Sequence, residues 1–91
     1  MNLEWTSNAL FDLNRFDNFL SPLNPSASKR ALKSLAAAAE RLKENPRLGY
    51  RLDQYAPRKI RRIIVGAYEL RYEIKEDMIV ILRVWHTRED R

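Results

Sequence analysis

The single histidine of the chain, His86, is the side chain best suited to move a proton near neutral pH. It stands just beyond a run of apolar residues and is followed by Thr87, Arg88, Glu89 and Asp90. A histidine at a strand end beside arginines can act as a general acid or base. It can equally hydrogen-bond locally and anchor the tail. The second concentration of chemistry is cationic: residues 47–62 hold Arg47, Arg51, Arg58, Lys59, Arg61 and Arg62 against Asp53 alone. Such a cluster attracts polyanions or an acidic protein segment, or is a solvated edge kept in solution by its charge. Trp5 and Trp85 could stack on bases, or serve as core or rim residues. Other chemistries lack their residues. Gly49 and Gly66 are isolated, so no glycine-rich loop can cradle a phosphate. Without cysteine, a lone histidine cannot assemble a typical zinc site, and no metal or cofactor is expected.

Ninety-one residues suffice for one domain, taken as 1–91, and not for two. A domain of this size buries only about 60–65% of the surface its unfolded chain exposes, so any site should lie on an open face or groove. The net charge of +5 is uneven. Residues 1–46 carry six Lys/Arg against five Asp/Glu and residues 63–91 five against six, which leaves the excess in 47–62. Met1 to Leu10 includes Glu4 and no long apolar run, so no signal peptide is expected. No stretch approaches the roughly 20 apolar residues of a membrane span, and the absence of cysteine fits a reducing cytoplasm.

Periodicity supplies the elements that must hold these residues. Leu3-Glu4-Trp5 alternates and suits a short first strand. Thr6, Ser7 or Asn8 can cap a helix whose apolar stripe is Leu10, Leu13, Phe16 and Leu20, ending near Ser21-Pro22. Asn24 and Pro25 suit the start of a second helix. Ala27, Ala31, Leu35, Ala38 and Leu42 form its stripe, and Asn45-Pro46 stops it. The two should form an antiparallel hairpin. Residues 47–59 read as a loop with at most a short extended piece. Ile60 to Val65, Tyr68 to Lys75 and Met78 to Trp85 then read as strands joined by tight hairpins at Gly66-Ala67 and Glu76-Asp77. The last strand is apolar on both faces and belongs near the centre of the sheet. Tyr68, Leu70, Tyr72 and Ile74 should face the helices, with Glu69, Arg71, Glu73 and Lys75 on a face open to solvent or a partner. The expected architecture is α+β: a strand, a helical hairpin, then a three-stranded antiparallel meander. Leu35, Leu42, Leu70, Tyr72 and Leu82 are expected in its core.

The stretches Arg61-Arg62-Ile63-Ile64-Val65-Gly66-Ala67-Tyr68-Glu69-Leu70-Arg71-Tyr72-Glu73-Ile74 and Ile81-Leu82-Arg83-Val84-Trp85-His86-Thr87-Arg88 resemble the C-terminal half of ParE/RelE toxins of type II toxin–antitoxin systems. Trp5-Thr6-Ser7-Asn8-Ala9 with Asp12-Leu13 is similar to the family's first strand and helix start, and Asn45-Pro46-Arg47-Leu48-Gly49 to the turn after its second helix.

The resemblance implies a plasmid-stabilisation or addiction toxin silenced by an antitoxin that wraps an amphipathic segment over it. RelE-like members are ribonucleases that cut ribosome-bound messenger RNA, using clustered Lys/Arg and usually a tyrosine or histidine near the C-terminus. ParE-like members lack most of that cluster and inhibit DNA gyrase. Glu69 stands where the ribonucleases commonly carry an arginine, and no tyrosine follows Tyr72. A carboxylate there would repel the scissile phosphate. The resemblance therefore implies a ParE-like gyrase inhibitor with a ParD-like antitoxin, which binds no membrane and has no catalytic residue. Arg58, Arg61 and Arg62 are the residues expected to meet the antitoxin or target. If the chain were instead a ribosome-dependent ribonuclease, Arg62, His86 and Arg88 would have to act. A simple nucleic-acid-binding module, supported by the basic stretch, is a third reading.

Overall fold

The computed structural model describes residues 1–88; Glu89 and Asp90, read above as part of the tail after His86, lie outside them. Its elements are β1 (Asn2–Trp5), α1 (Ser7–Leu20), α2 (Pro25–Glu44), β2 (Tyr50–Arg51), β3 (Ile60–Val65), β4 (Tyr68–Lys75) and β5 (Met78–His86), with one 3-10 turn at Asp53–Tyr55. Both helix starts follow capping chemistry. Thr6 Oγ1 accepts the Ala9 N–H at 3.1 Å, and Asn24 Oδ1 accepts that of Ala27 at 3.1 Å ahead of Pro25. No helix among the described residues is long and apolar enough to cross a membrane.

The three-stranded antiparallel meander is an incomplete description of the sheet. The sheet has five strands in the order β1-β5-β4-β3-β2, and β1 runs parallel to β5. The connection between these two strands runs through the helical hairpin and then β2, β3 and β4, so their pairing spans most of the chain and leaves no local sequence signal. At the other edge β2 holds only two residues, too few for a visible alternation. β5 is internal as expected, with β4 at the centre.

Both helices pack on one sheet face. Ala9, Leu35, Ala39, Leu42, Leu70, Tyr72, Ile79, Ile81 and Val84 form the core. Two expected inward residues are elsewhere. Leu10 is 53% exposed because α1 turns Ala9 and Asp12 inward instead. Leu82 is half-buried because a bulge opposite Arg71/Tyr72 shifts the register: Tyr72 pairs with Ile81 and Arg71 with Arg83. Leu35 is 1% exposed at the contact between hairpin and sheet. Leu35→Ala is expected to cost about 2–5 kcal/mol. An unchanged urea midpoint would show that this contact does not carry the fold.

Candidate functional site

The sheet face away from the helices, expected to be open to solvent or a partner, is closed over by its own charges. Glu69 is fully buried and Glu73 nearly so. Glu69 accepts from Arg71 Nη2 at 2.7 Å and from Arg62 Nη1 at 3.3 Å. Arg71 lies 4.6 Å from the Trp85 ring centroid and donates to the Tyr55 hydroxyl at 3.1 Å. Arg83 approaches the same indole at 5.3 Å, and Arg62 lies 5.8 Å from the Tyr50 ring. Carboxylates can be buried here because each is paired and hydrogen-bonded. Trp85 is thus a stacking platform already occupied by guanidinium groups.

Arg58 serves Glu73 in the same way, from the far end of this face, with bonds of 2.8 and 3.2 Å. The Arg58 hydrogen bonds hold the Glu73 carboxyl below its ordinary value, against the opposing effect of burial, with help from the charges of Arg58 and Lys75. A depressed folded-state pKa stabilises the fold fully above the unfolded pKa, about 4.3 for glutamate, and that contribution is lost as pH falls through the folded value. The stability gap between the native chain and Arg58→Ala should therefore be present at neutral pH and shrink as the solution is acidified below that point. Urea unfolding at neutral pH and near pH 3 measures it, and a gap independent of pH would refute the linkage.

On the helix side, Tyr72 organises the turn after α2. Its hydroxyl donates to Pro46 O at 2.7 Å and accepts the Gly49 N–H at 2.9 Å. Burial pushes this phenol up, opposed by the Gly49 N–H and the charge of Arg61. Gly49 has no room for a side chain: a Cβ would stand 2.7 Å from both Arg62 O and the Tyr72 hydroxyl. Arg61 closes the same turn, donating to Gly49 O at 2.7 Å.

Arg58, Arg61 and Arg62 are therefore not one patch. Side chains alternate along a strand and match across a ladder, so Arg62, paired with Arg71, lies with Glu69 on the outer face. Arg61, paired with Tyr72, lies on the helix side. Arg62 also borders a groove shared by Arg41, Leu48, Tyr50, Ile63 and Ile64 along the outer edge of β3. β2 pairs only with Arg61 and Arg62, so this edge is uncovered by β2 from Ile63 onward. Tyr50 and Ile64 are 72% and 56% exposed beside it.

His86 pairs with Tyr68, three residues from Arg71 with no irregularity between them, so His86 and Arg62 are on opposite faces. The imidazole meets the Tyr68 ring edge-on at 5.4 Å, and its Nδ1 accepts the Arg88 N–H at 3.2 Å. His86 and Arg88 border an apolar groove of about 580 Å³ with Arg15, Phe16, Phe19, Leu20 and Tyr68. The structure brings His86 and Arg88 together and leaves Arg62 apart from them. Sequence reasoning passed over Asp12, Glu69 and Glu73 as buried anchors and Phe19 as an exposed one, 74% accessible on α1. Among the described residues, no group of three His, Cys, Asp or Glu could hold a metal ion.

Residues 3–91 match a protein family described as the ParE toxin of the type II toxin–antitoxin system parDE. No curated protein matches the sequence. Among solved structures, a chain of the chromosomal ParDE toxin–antitoxin system from P. aeruginosa superimposes with a TM-score of 0.75 at 21% identity. The likeness covers 94% of this chain and 95% of that one, and at such identity it is a likeness of fold.

Proposed function

The chain belongs to the ParE toxin family of type II toxin–antitoxin systems, and from that premise we propose that it arrests growth by engaging DNA gyrase until an antitoxin neutralises it. The observation that carries the choice over a ribosome-dependent ribonuclease is the sheet register. Arg62 and His86 pair with Arg71 and Tyr68, which point to opposite faces. RNA cleavage needs a group to draw the proton from the attacking 2′-hydroxyl and cations at the developing phosphorane, all converging on one phosphate. A positioned base or acid is worth about 10²–10⁴-fold, and one donor to the developing charge about 10²–10³-fold. Here Arg62 and Arg71 bind Glu69, and the His86 Nδ1 accepts a backbone N–H. The chain therefore acts by binding, as a single toxin domain over 1–91. A gyrase target carries a cytoplasmic location with it.

The antitoxin is of the ParD-like kind, and its segment lies along the groove between α2 and the outer edge of β3. Exposed Leu48, Tyr50 and Ile64 offer apolar anchors, while Arg41 and Arg62 meet its acidic residues. Arg58 and Arg61 contribute through the field of the same end of the molecule. The test pairs two assays on purified protein. Dose-dependent loss of supercoiling, or accumulation of cleaved DNA, is expected with gyrase, and no codon-positioned cleavage with programmed ribosomes. Ribosomal cleavage that disappears on His86→Ala would replace this reading with the ribonuclease one.

A further inference from the structure

Four of the six cations of 47–62 converge in space on one small cleft. Arg47, Arg51, Lys59 and Arg61 line about 230 Å³ together with Ile74. Each is set there by backbone structure. Arg51 faces Arg61 across the β2–β3 ladder, and the Lys59 carbonyl accepts the Ile74 N–H at 2.9 Å. Arg47 belongs to the turn that Tyr72 pins through Pro46 O and the Gly49 N–H, and Arg61 is tied into the same turn through Gly49 O. Among the described residues no carboxylate lines the cleft; Asp53 reaches Arg51 Nε at 2.9 Å without bordering it. Among the described residues, Arg47 and Lys59 make no ion pair and are exposed. A fold that neutralises Glu69, Glu73 and Asp12 with an arginine apiece or more leaves these cations facing one another instead.

We propose that this cleft and the cations at its rim bind the phosphate backbone of nucleic acid. Four cations around a small polar space suit a tetrahedral oxyanion, and guanidinium forks match phosphate oxygens in pairs. An acidic protein segment is the poorer occupant. Its affinity would rest on apolar anchors, and among the described residues Ile74 is the one apolar residue of the lining, whereas the groove along β3 offers several. A nucleic-acid backbone presents regularly spaced charge and needs no such anchor. The inference does not depend on the gyrase reading, although it would let the toxin touch DNA while engaging a DNA-bound enzyme.

The test is fluorescence anisotropy with purified toxin and three probes: a short labelled DNA duplex, a labelled single-stranded RNA, and inorganic phosphate as competitor. Neutralising two or three phosphates predicts a log–log salt slope of about −2 to −3, or roughly 10–40-fold weaker binding between about 50 and 200 mM salt. Arg47→Glu with Lys59→Glu should abolish binding at low salt. Lys29→Glu with Lys33→Glu, exposed on α2, makes the same change in net charge and should leave binding within about twofold. If the first pair also lowers the melting temperature, Arg47→Gln with Lys59→Gln provides the reading, as a slope shallower by about 1–2. Equal losses in the two charge-reversed proteins, absence of binding to either nucleic acid, or displacement of neither by phosphate would overturn the proposal. Gyrase inhibition without nucleic-acid binding would remove this site and leave the gyrase reading intact.

Discussion

Asp12→Ala is expected to lower the free energy of unfolding by about 3–5 kcal/mol, the usual cost of removing one partner of a buried ion pair. The reason lies in where β1 ends. It pairs with β5 from Met78 to Ile81, and Thr6 then takes over with its N–H on Ile81 O and its hydroxyl on Leu82 O. Beyond that point the outer edge of β5 needs another acceptor. Asp12, fully buried on α1, accepts the Val84 N–H at 2.9 Å and both Arg83 Nε and Nη2 at 2.8 and 3.0 Å. One carboxylate thus fastens helix to sheet and satisfies a buried strand edge. Alanine leaves the Val84 N–H orphaned, about 1–3 kcal/mol by itself. It also frees the Arg83 guanidinium, whose side chain is 40% exposed, so solvent recovers part of that loss. Asp12→Asn should be milder, because the amide oxygen can still accept from Val84. Urea unfolding of both variants measures the difference, and an alanine variant within about 1 kcal/mol of the native chain would refute this role.

Asp12 also shows where sequence reasoning stops. An aspartate on an amphipathic helix reads as solvent-facing, and nothing within a turn of it announces a strand edge more than seventy residues away. What was legible is local. Thr6, Asn24 and Pro25 mark helix starts through their own side chains and φ angles, and the runs rich in Ile, Val and Tyr that form β3, β4 and β5 need no distant partner to be read. What was illegible is pairing at a distance: β1 on β5, the two-residue β2, and the bulge that withdraws Leu82 from the core. The open outer face was a different error. Its charged residues read as open to solvent or a partner, although Glu69 and Glu73 lie within reach of arginines on the neighbouring strand or its approach. One signal was available and unused. Arg61 and Arg62 are adjacent in an alternating strand, which sends them to opposite faces and argues against a single arginine patch.

Glu69→Arg restores the arginine that the ribonuclease members of the wider family commonly carry, and it is expected to unfold the domain without creating a ribonuclease. The Glu69 side chain is 1% exposed, and the Arg71 side chain that binds it at 2.7 Å is only 18% exposed. Arg62 approaches the other carboxylate oxygen at 3.3 Å. Removing the anion alone should cost about 3–5 kcal/mol, because two guanidinium groups lose their counter-charge. Putting a third cation in its place adds like-charge repulsion where water cannot screen it well. Small domains hold about 5–15 kcal/mol in total, so the sum should exceed what this one has. The cluster also has no slack, since Arg71 Nε is already buried without an acceptor among the described residues. Glu69→Gln separates charge from shape: it keeps an acceptor oxygen, so it should fold with reduced stability. Far-ultraviolet circular dichroism and thermal melts of the two variants decide the matter, with programmed ribosomes as the functional readout. A folded arginine variant, whether or not it cut messenger RNA, would mean that Glu69 is not the counter-charge holding this face together. If that variant also cut messenger RNA, the outer face would be a ribonuclease surface blocked by one residue, and the choice of gyrase as target would lose its structural support.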